Sequence, residues 1–176
     1  MSSNSGKNNP AIGFFTVCDY AEHGLFGGYL LLNPVGRPLE FHCTSPVRPN
    51  RAQEILYGPT LKPFLYGEQI GGALLARTKL PPLLIVTDSE DALAARDVCS
   101  QPLVMVLAHD AKPSATLHEF KFKKMRLALP LRYSSDQQAV LDICQTHLDQ
   151  LDLAEPFARI KEALDEAQKS ARAQAA

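Results

Sequence analysis

Residues 28–75 read GYLLLNPVGRPLEFHCTSPVRPNRAQEILYGPTLKPFLYGEQIGGALL. Two apolar runs are joined by Asn33-Pro34-Val35-Gly36, a link suited to a hairpin on a type I turn, with Pro34 presetting its backbone angle. The first run, 28–32, is apolar on both faces, as a central strand is. The second, 39–44, alternates. Leu39, Phe41 and Cys43 share one face, and Glu40, His42 and Thr44 share the other. Pro46 and Pro49 break this strand. Asn50 is placed to cap a helix over 51–57, with Gln53 in the reciprocal position, and Gly58-Pro59 is a stop signal. Thr60 is placed to cap a second helix through Arg77, with Pro63 in the first turn, where proline is tolerated. Gly67 and Gly71 lie four apart and leave one helix face bare, which suits close packing onto a sheet. The region is a hairpin feeding helices, one side of an α/β sheet.

Working outward, residues 12–18 (IGFFTVC) read as a strand, with Asp19 and a loop after it. Downstream, 83–87 is a buried-type strand between Pro81-Pro82 and Asp88. A helix is expected over 92–99, with Thr87 and Glu90 at capping-box spacing, and 102–108 is a fifth, fully apolar strand. Strand, helix and strand at this spacing argue for a parallel crossover. Phe120 and Phe122 alternate with Lys121 and Lys123, so 120–127 reads as an edge strand. Ser135 and Gln138 open a helix through Leu151, and Pro156 opens a last one carrying Phe157, Ile160 and Leu164. The expected fold is a single α/β domain. Its mixed sheet has five or six strands, antiparallel hairpin strands first and then a parallel βαβ unit. Residues 1–11 read as a disordered tail, 12–133 as the sheet domain, and 134–176 as helices packed on it or extending from it.

Composition excludes several classes. The 176 residues are 45% hydrophobic and 21% charged, which is ordinary for a globular chain. The net charge of −1 gives no global attraction to nucleic acid. No apolar run approaches the ~20 residues a membrane helix needs. The polar start MSSNSGKNNP does not read as a secretory signal, and Cys18, Cys43, Cys99 and Cys144 form no Cys-x-x-Cys pair. Reduced thiols and a cytoplasmic location are the expectation. Charge is uneven, however. Residues 111–133 carry net +5 and residues 134–176 net −4, so these segments are expected to face each other.

His42-Cys43 is the most reactive-looking pair, but strand alternation points the two side chains apart. Thiol chemistry at Cys43 would need activation from outside the strand, by Arg48, Arg51 or the helix start after Asn50. Asp19, His23, Asp88 and His109 are dispersed, and no local spacing supports a metal site. Asp19 and Asp88 each follow an expected strand. If those strands are parallel neighbours, both acids reach the carboxyl edge of the sheet, the usual ligand site in open α/β sheets.

The element order resembles that of ribonuclease H-like domains: three hairpin strands, a helix, a strand, a helix, a strand, then helices. That resemblance implies metal-dependent phosphodiester cleavage by acids on the first strand, the fourth strand and the first helix. Asp19 and Asp88 match two of these positions, and Glu54 or Glu68 the third. The segment FHCTSPVRPNRAQEILYGPTLKPFLYGEQIG resembles a conserved-looking block of uncharacterised bacterial, planctomycete-type proteins, a likeness spanning about residues 12–108. It implies no activity.

The leading expectation is a non-catalytic interaction or small-ligand-binding protein, with Arg48, Arg51 and Tyr57 as binding residues beside the third strand. A ribonuclease H-like nuclease using Asp19 and Asp88 is the first alternative, and thiol chemistry at Cys43 the second. The sequence names no cofactor. A protein partner or a second copy of the chain are the partner candidates; a membrane is not, and charge disfavours nucleic acid.

Overall fold

In the computed structural model, residues 9–175 are described. Most of the expected tail, residues 1–8, lies outside them. Its end does not behave as a tail: Ala11 is buried, and its carbonyl accepts the Leu83 amide at 2.8 Å.

One mixed sheet of seven strands organises the chain: β1 (Ile12–Tyr20), β2 (Gly24–Leu32), β3 (Pro38–Cys43), β4 (Leu84–Thr87), β5 (Leu103–Val106), β6 (Leu117–Phe122) and β7 (Met125–Pro130). Their spatial order is β3-β2-β1-β4-β5-β7-β6. β1, β2 and β3 pair antiparallel, β1, β4 and β5 run parallel, and β7 and β6 return antiparallel. The α/β class holds, with more strands than expected. The extra one arises because 120–127 is no single strand. Lys123 takes a positive φ of 54° and turns the chain, so the Phe/Lys alternation belongs to a hairpin.

The Asn33–Gly36 turn closes with a 2.9 Å bond from the Gly36 amide to the Asn33 carbonyl. Helix α1 (Arg51–Tyr57) carries the expected capping box: Asn50 accepts from the Gln53 amide at 2.8 Å, and Gln53 accepts from the Asn50 amide at 3.1 Å. Residues 61–77 form one continuous helix, α2, whose middle, Phe64–Gly71, is π-helical. Thr60 does not cap it; its hydroxyl donates to the Tyr57 carbonyl instead. The crossover between β4 and β5 is a 3-10 helix, Asp91–Val98, without the expected side-chain cap. Helix α3 (Gln137–His147) is entered through a 3-10 segment, Leu131–Asp136, and helix α4 (Glu155–Ala175) ends the described chain.

Each sheet face has its own core. On one, α2 and the 3-10 crossover cover Phe15, Tyr29, Leu31, Ile85 and Leu103. On the other, α3 and α4 cover Ile12, Phe14, Leu32, Val86 and Leu127, with Phe157 meeting Phe14 edge-on at 5.7 Å. The bare face of α2 is explained by its neighbour. A β-carbon at Gly67 would sit 2.5 Å from the Ala94 β-carbon and 2.6 Å from the Ala95 amide nitrogen. The glycines thus admit the crossover backbone more than the sheet. At Gly27 and Gly28 the sheet itself is bare on both sides. A β-carbon on Gly27 would meet Ile70 of α2, and one on Gly28 would meet Ile160 of α4.

Candidate functional site at the carboxyl edge of β1 and β4

β1 and β4 are parallel neighbours, as the edge argument requires, with Phe15 beside Thr87. The next step along both strands sets Thr16 beside Asp88. The buried Thr16 hydroxyl donates to one Asp88 carboxylate oxygen at 2.6 Å, and the Lys161 ammonium of α4 donates to the other at 2.9 Å. The Asp88 hydrogen bond pushes the Lys161 pKa up, against a smaller opposing effect of burial. A second contact lies beside it, where the Tyr20 hydroxyl donates to Asp165 of α4. Cys18 lies between these two pairs. Burial pushes its thiol up, with Lys161 pulling it down and the charges of Asp88 and Asp165 raising it further, so the thiol stays protonated at neutral pH.

Asp19 does not join this group. It lies within β1 rather than after it, opposite Leu25, and is exposed. Alternation along β1 sends Thr16, Cys18 and Tyr20 to the α4 face and Asp19 to the α2 face. There, after burial, its charge is the next cause raising the Tyr66 pKa. Asp19 also stands three residues beyond Thr16, about 10 Å along the strand. The expected Asp19–Asp88 pairing is therefore corrected: the two acids sit on opposite faces. Glu54 pairs with Arg51 at 3.1 Å on α1, and Glu68 opens onto a hollow shared with Tyr57, Asp97 and Arg132. Neither lines the hollow that holds Asp88 and Lys161.

A ribonuclease H-like metal site does not fit these residues. Both Asp88 oxygens are engaged, one of them by a cation, and a divalent ion beside Lys161 would be repelled. Among the described residues, no group of three or more His, Cys, Asp or Glu side chains is placed to hold a metal ion.

The remaining sequence candidates disperse. His42 bonds Glu40 at 2.7 Å and stacks on Tyr29, on the face away from Cys43. Glu40 also accepts the Lys79 and Leu80 amides. Burial raises its pKa, but the His42 bond and these amides outweigh it and hold Glu40 below its ordinary value. Cys43 is half-buried and borders a groove with Arg48. Leu39 and Phe41, expected to share a face with it, are each 40% exposed, because β3 is an edge strand. Tyr57 stacks on Phe64 at 4.3 Å, away from that groove. Arg48 lines that groove, whereas Tyr57 lines a different hollow with Glu68, Asp97 and Arg132.

Thr16, Lys161 and Asp165 went unnoticed in the sequence, yet their signals are there. Thr16, Cys18 and Tyr20 are polar or reactive at every second position of an apolar strand. Lys161, Asp165, Gln168 and Arg172 recur at helical spacing along α4.

No protein-family model matches the chain, and no curated protein matches it. Solved structures do. It is similar to Ciona intestinalis endonuclease V in complex with a 24mer DNA containing an inosine followed by a ribo-adenosine. The TM-score is 0.51 at 11% identity, over 90% of this chain and 87% of that one. The catalytic domain of human endonuclease V gives a TM-score of 0.43 at 12% identity, over 94% of this chain and 85% of that one. The class is thus a mixed α/β fold with its special polar groups at the carboxyl edge of the parallel strands. The particular fold is the one seen in endonuclease V.

Proposed function

We propose that the chain is a nucleic-acid-binding protein on a nuclease fold, and that it grips the phosphate backbone without cutting it. Asp88 carries the reading. It occupies the edge where this fold class does its chemistry, but Thr16 and Lys161 hold it in an ion pair. Lys161 is half exposed, so its ammonium can also meet a phosphate. Nucleic acid as the ligand is an analogy of fold. The test is fluorescence anisotropy with labelled single-stranded DNA and RNA, with and without magnesium or manganese. Binding that weakens with salt and with Lys161→Glu, and no cleavage, is expected. Oligonucleotides that fail to bind at low salt sink it.

A second reading, metal-dependent cleavage, is supported by the same fold, and it requires Asp88 to exchange its Thr16 and Lys161 bonds for a divalent ion. Cleavage that needs a divalent ion, vanishes in Asp88→Asn and survives Asp19→Asn replaces the first reading with this one.

A further inference from the structure

The C-terminal half of α4 overhangs a groove of about 470 Å³, floored by Phe26, Pro46, Leu164, Ala167 and Ala171. This volume lies within the range of small-molecule sites. The groove is far from neutral. Arg48, Arg172 and His23 stand at its walls, and none of its lining residues is acidic. Arg48 makes no salt bridge or side-chain hydrogen bond among the described residues, and Arg172 meets only His23. A second, independent observation comes from Gln168, another lining residue. Its side-chain nitrogen is out of solvent and has no hydrogen-bond partner among the described residues. A buried donor without an acceptor costs free energy, and a turn of the Gln168 amide into the groove would let a ligand's acceptor remove that cost.

We propose that this groove binds a small amphipathic anion, an apolar body carrying one carboxylate or phosphate-monoester head. The body covers Phe26, Leu164 and Ala167. The head accepts from Arg48 and Arg172, and from the Gln168 amide once that side chain turns toward it. Cys43 borders the same space, so the bound body shields its thiol.

The probe is 1-anilinonaphthalene-8-sulfonate, itself an apolar body with an anionic head, titrated onto the folded full chain. Saturable binding of one dye per chain is expected. Dodecanoate and dodecyl phosphate displace it, and their relative potency tells which head the site prefers. Dodecyltrimethylammonium, with the same tail and the opposite charge, does not displace it. Arg48→Glu with Arg172→Glu weakens dye binding by about tenfold or more, the loss of a charge-assisted contact. Ala171→Trp, which fills the exposed end of the groove, has the same effect. Dye binding that survives both variants overturns the proposal, as does equal displacement by the cation. Should a variant fold poorly, the unmutated chain still decides. Modification of Cys43 by a thiol reagent, followed by site-resolved mass spectrometry, must slow when dodecanoate or dodecyl phosphate is bound. An unchanged rate overturns the proposal equally.

Discussion

The two faces of the sheet solve one packing problem in opposite ways. On the α2 face, side chains are deleted so that backbones meet: Gly67 lies on Ala94 and Ala95, and Gly71 on Ala95 and Phe15. On the α4 face, Gly28 under Ile160 apart, side chains carry the contact, which ends in polar pairs, Lys161 with Asp88 and Asp165 with Tyr20. The first face leaves no gap where α2 meets the crossover backbone, and its hollows, about 260 and 270 Å³, open only at the crossover's margins, by Asp91 and by Asp97. The second leaves a cavity at each end of α4, one by Ala154 and Ala158 and one by Ala167 and Ala171. Which face an acid occupies thus decides what it can do. Asp88 points to the α4 face, where Lys161 meets it, and Asp19 to the α2 face.

The sharpest way to break this contrast is through the cores. Phe157→Ala removes a ring that is 4% exposed and packed edge-on against Phe14, so a loss of about 3–5 kcal/mol in urea unfolding is expected. Gly67→Val forces a side chain into the Ala94–Ala95 backbone and should cost about 1–3 kcal/mol. A Gly67→Val chain as stable as the parent means the contact of α2 with the crossover has slack, and the contrast fails. At the edge, Lys161→Ala should lower oligonucleotide affinity several-fold while shifting stability by under about 1 kcal/mol, as exposed ion pairs do. A stability loss without an affinity change makes that pair purely structural.

The smallest effect is a pH dependence on the α2 face. The folded-state pKa of Glu40 is lowered, so its contribution to stability is complete above the ordinary carboxylate pKa and is lost as pH falls through the folded value. Glu40→Gln should therefore be less stable than the parent at pH 7, and the gap should close below about pH 4. A gap that persists in acid assigns the effect to hydrogen-bond geometry rather than charge.

Much of the architecture was legible because it is local. The Asn50–Gln53 capping box, the Asn33–Gly36 turn and the parallel β4–β5 crossover each rest on residues close in sequence. The β6–β7 hairpin was missed because its turn, Lys123-Lys124, contains neither glycine nor proline, and lysine supplies the positive φ. The candidate site was half legible. Asp88 was found, but its partners are distant in sequence: Thr16 is 72 residues before it and Lys161 is 73 after it. Parity along β1 settles the face of Asp19 only once the strand is known to run to Tyr20, two residues beyond the expected end. The charge segments do meet, through Lys123 and Asp149, though most pairs form elsewhere.

At Gly27 and Gly28, Ile70 presses on the sheet from one side and Ile160 from the other, with only backbone between them. Elsewhere two layers of side chains separate the helices and can absorb a displacement by changing rotamer. Here nothing soft intervenes, so the sheet acts as a stiff diaphragm. A shift of α4 at this point is felt directly by the π-helical stretch of α2.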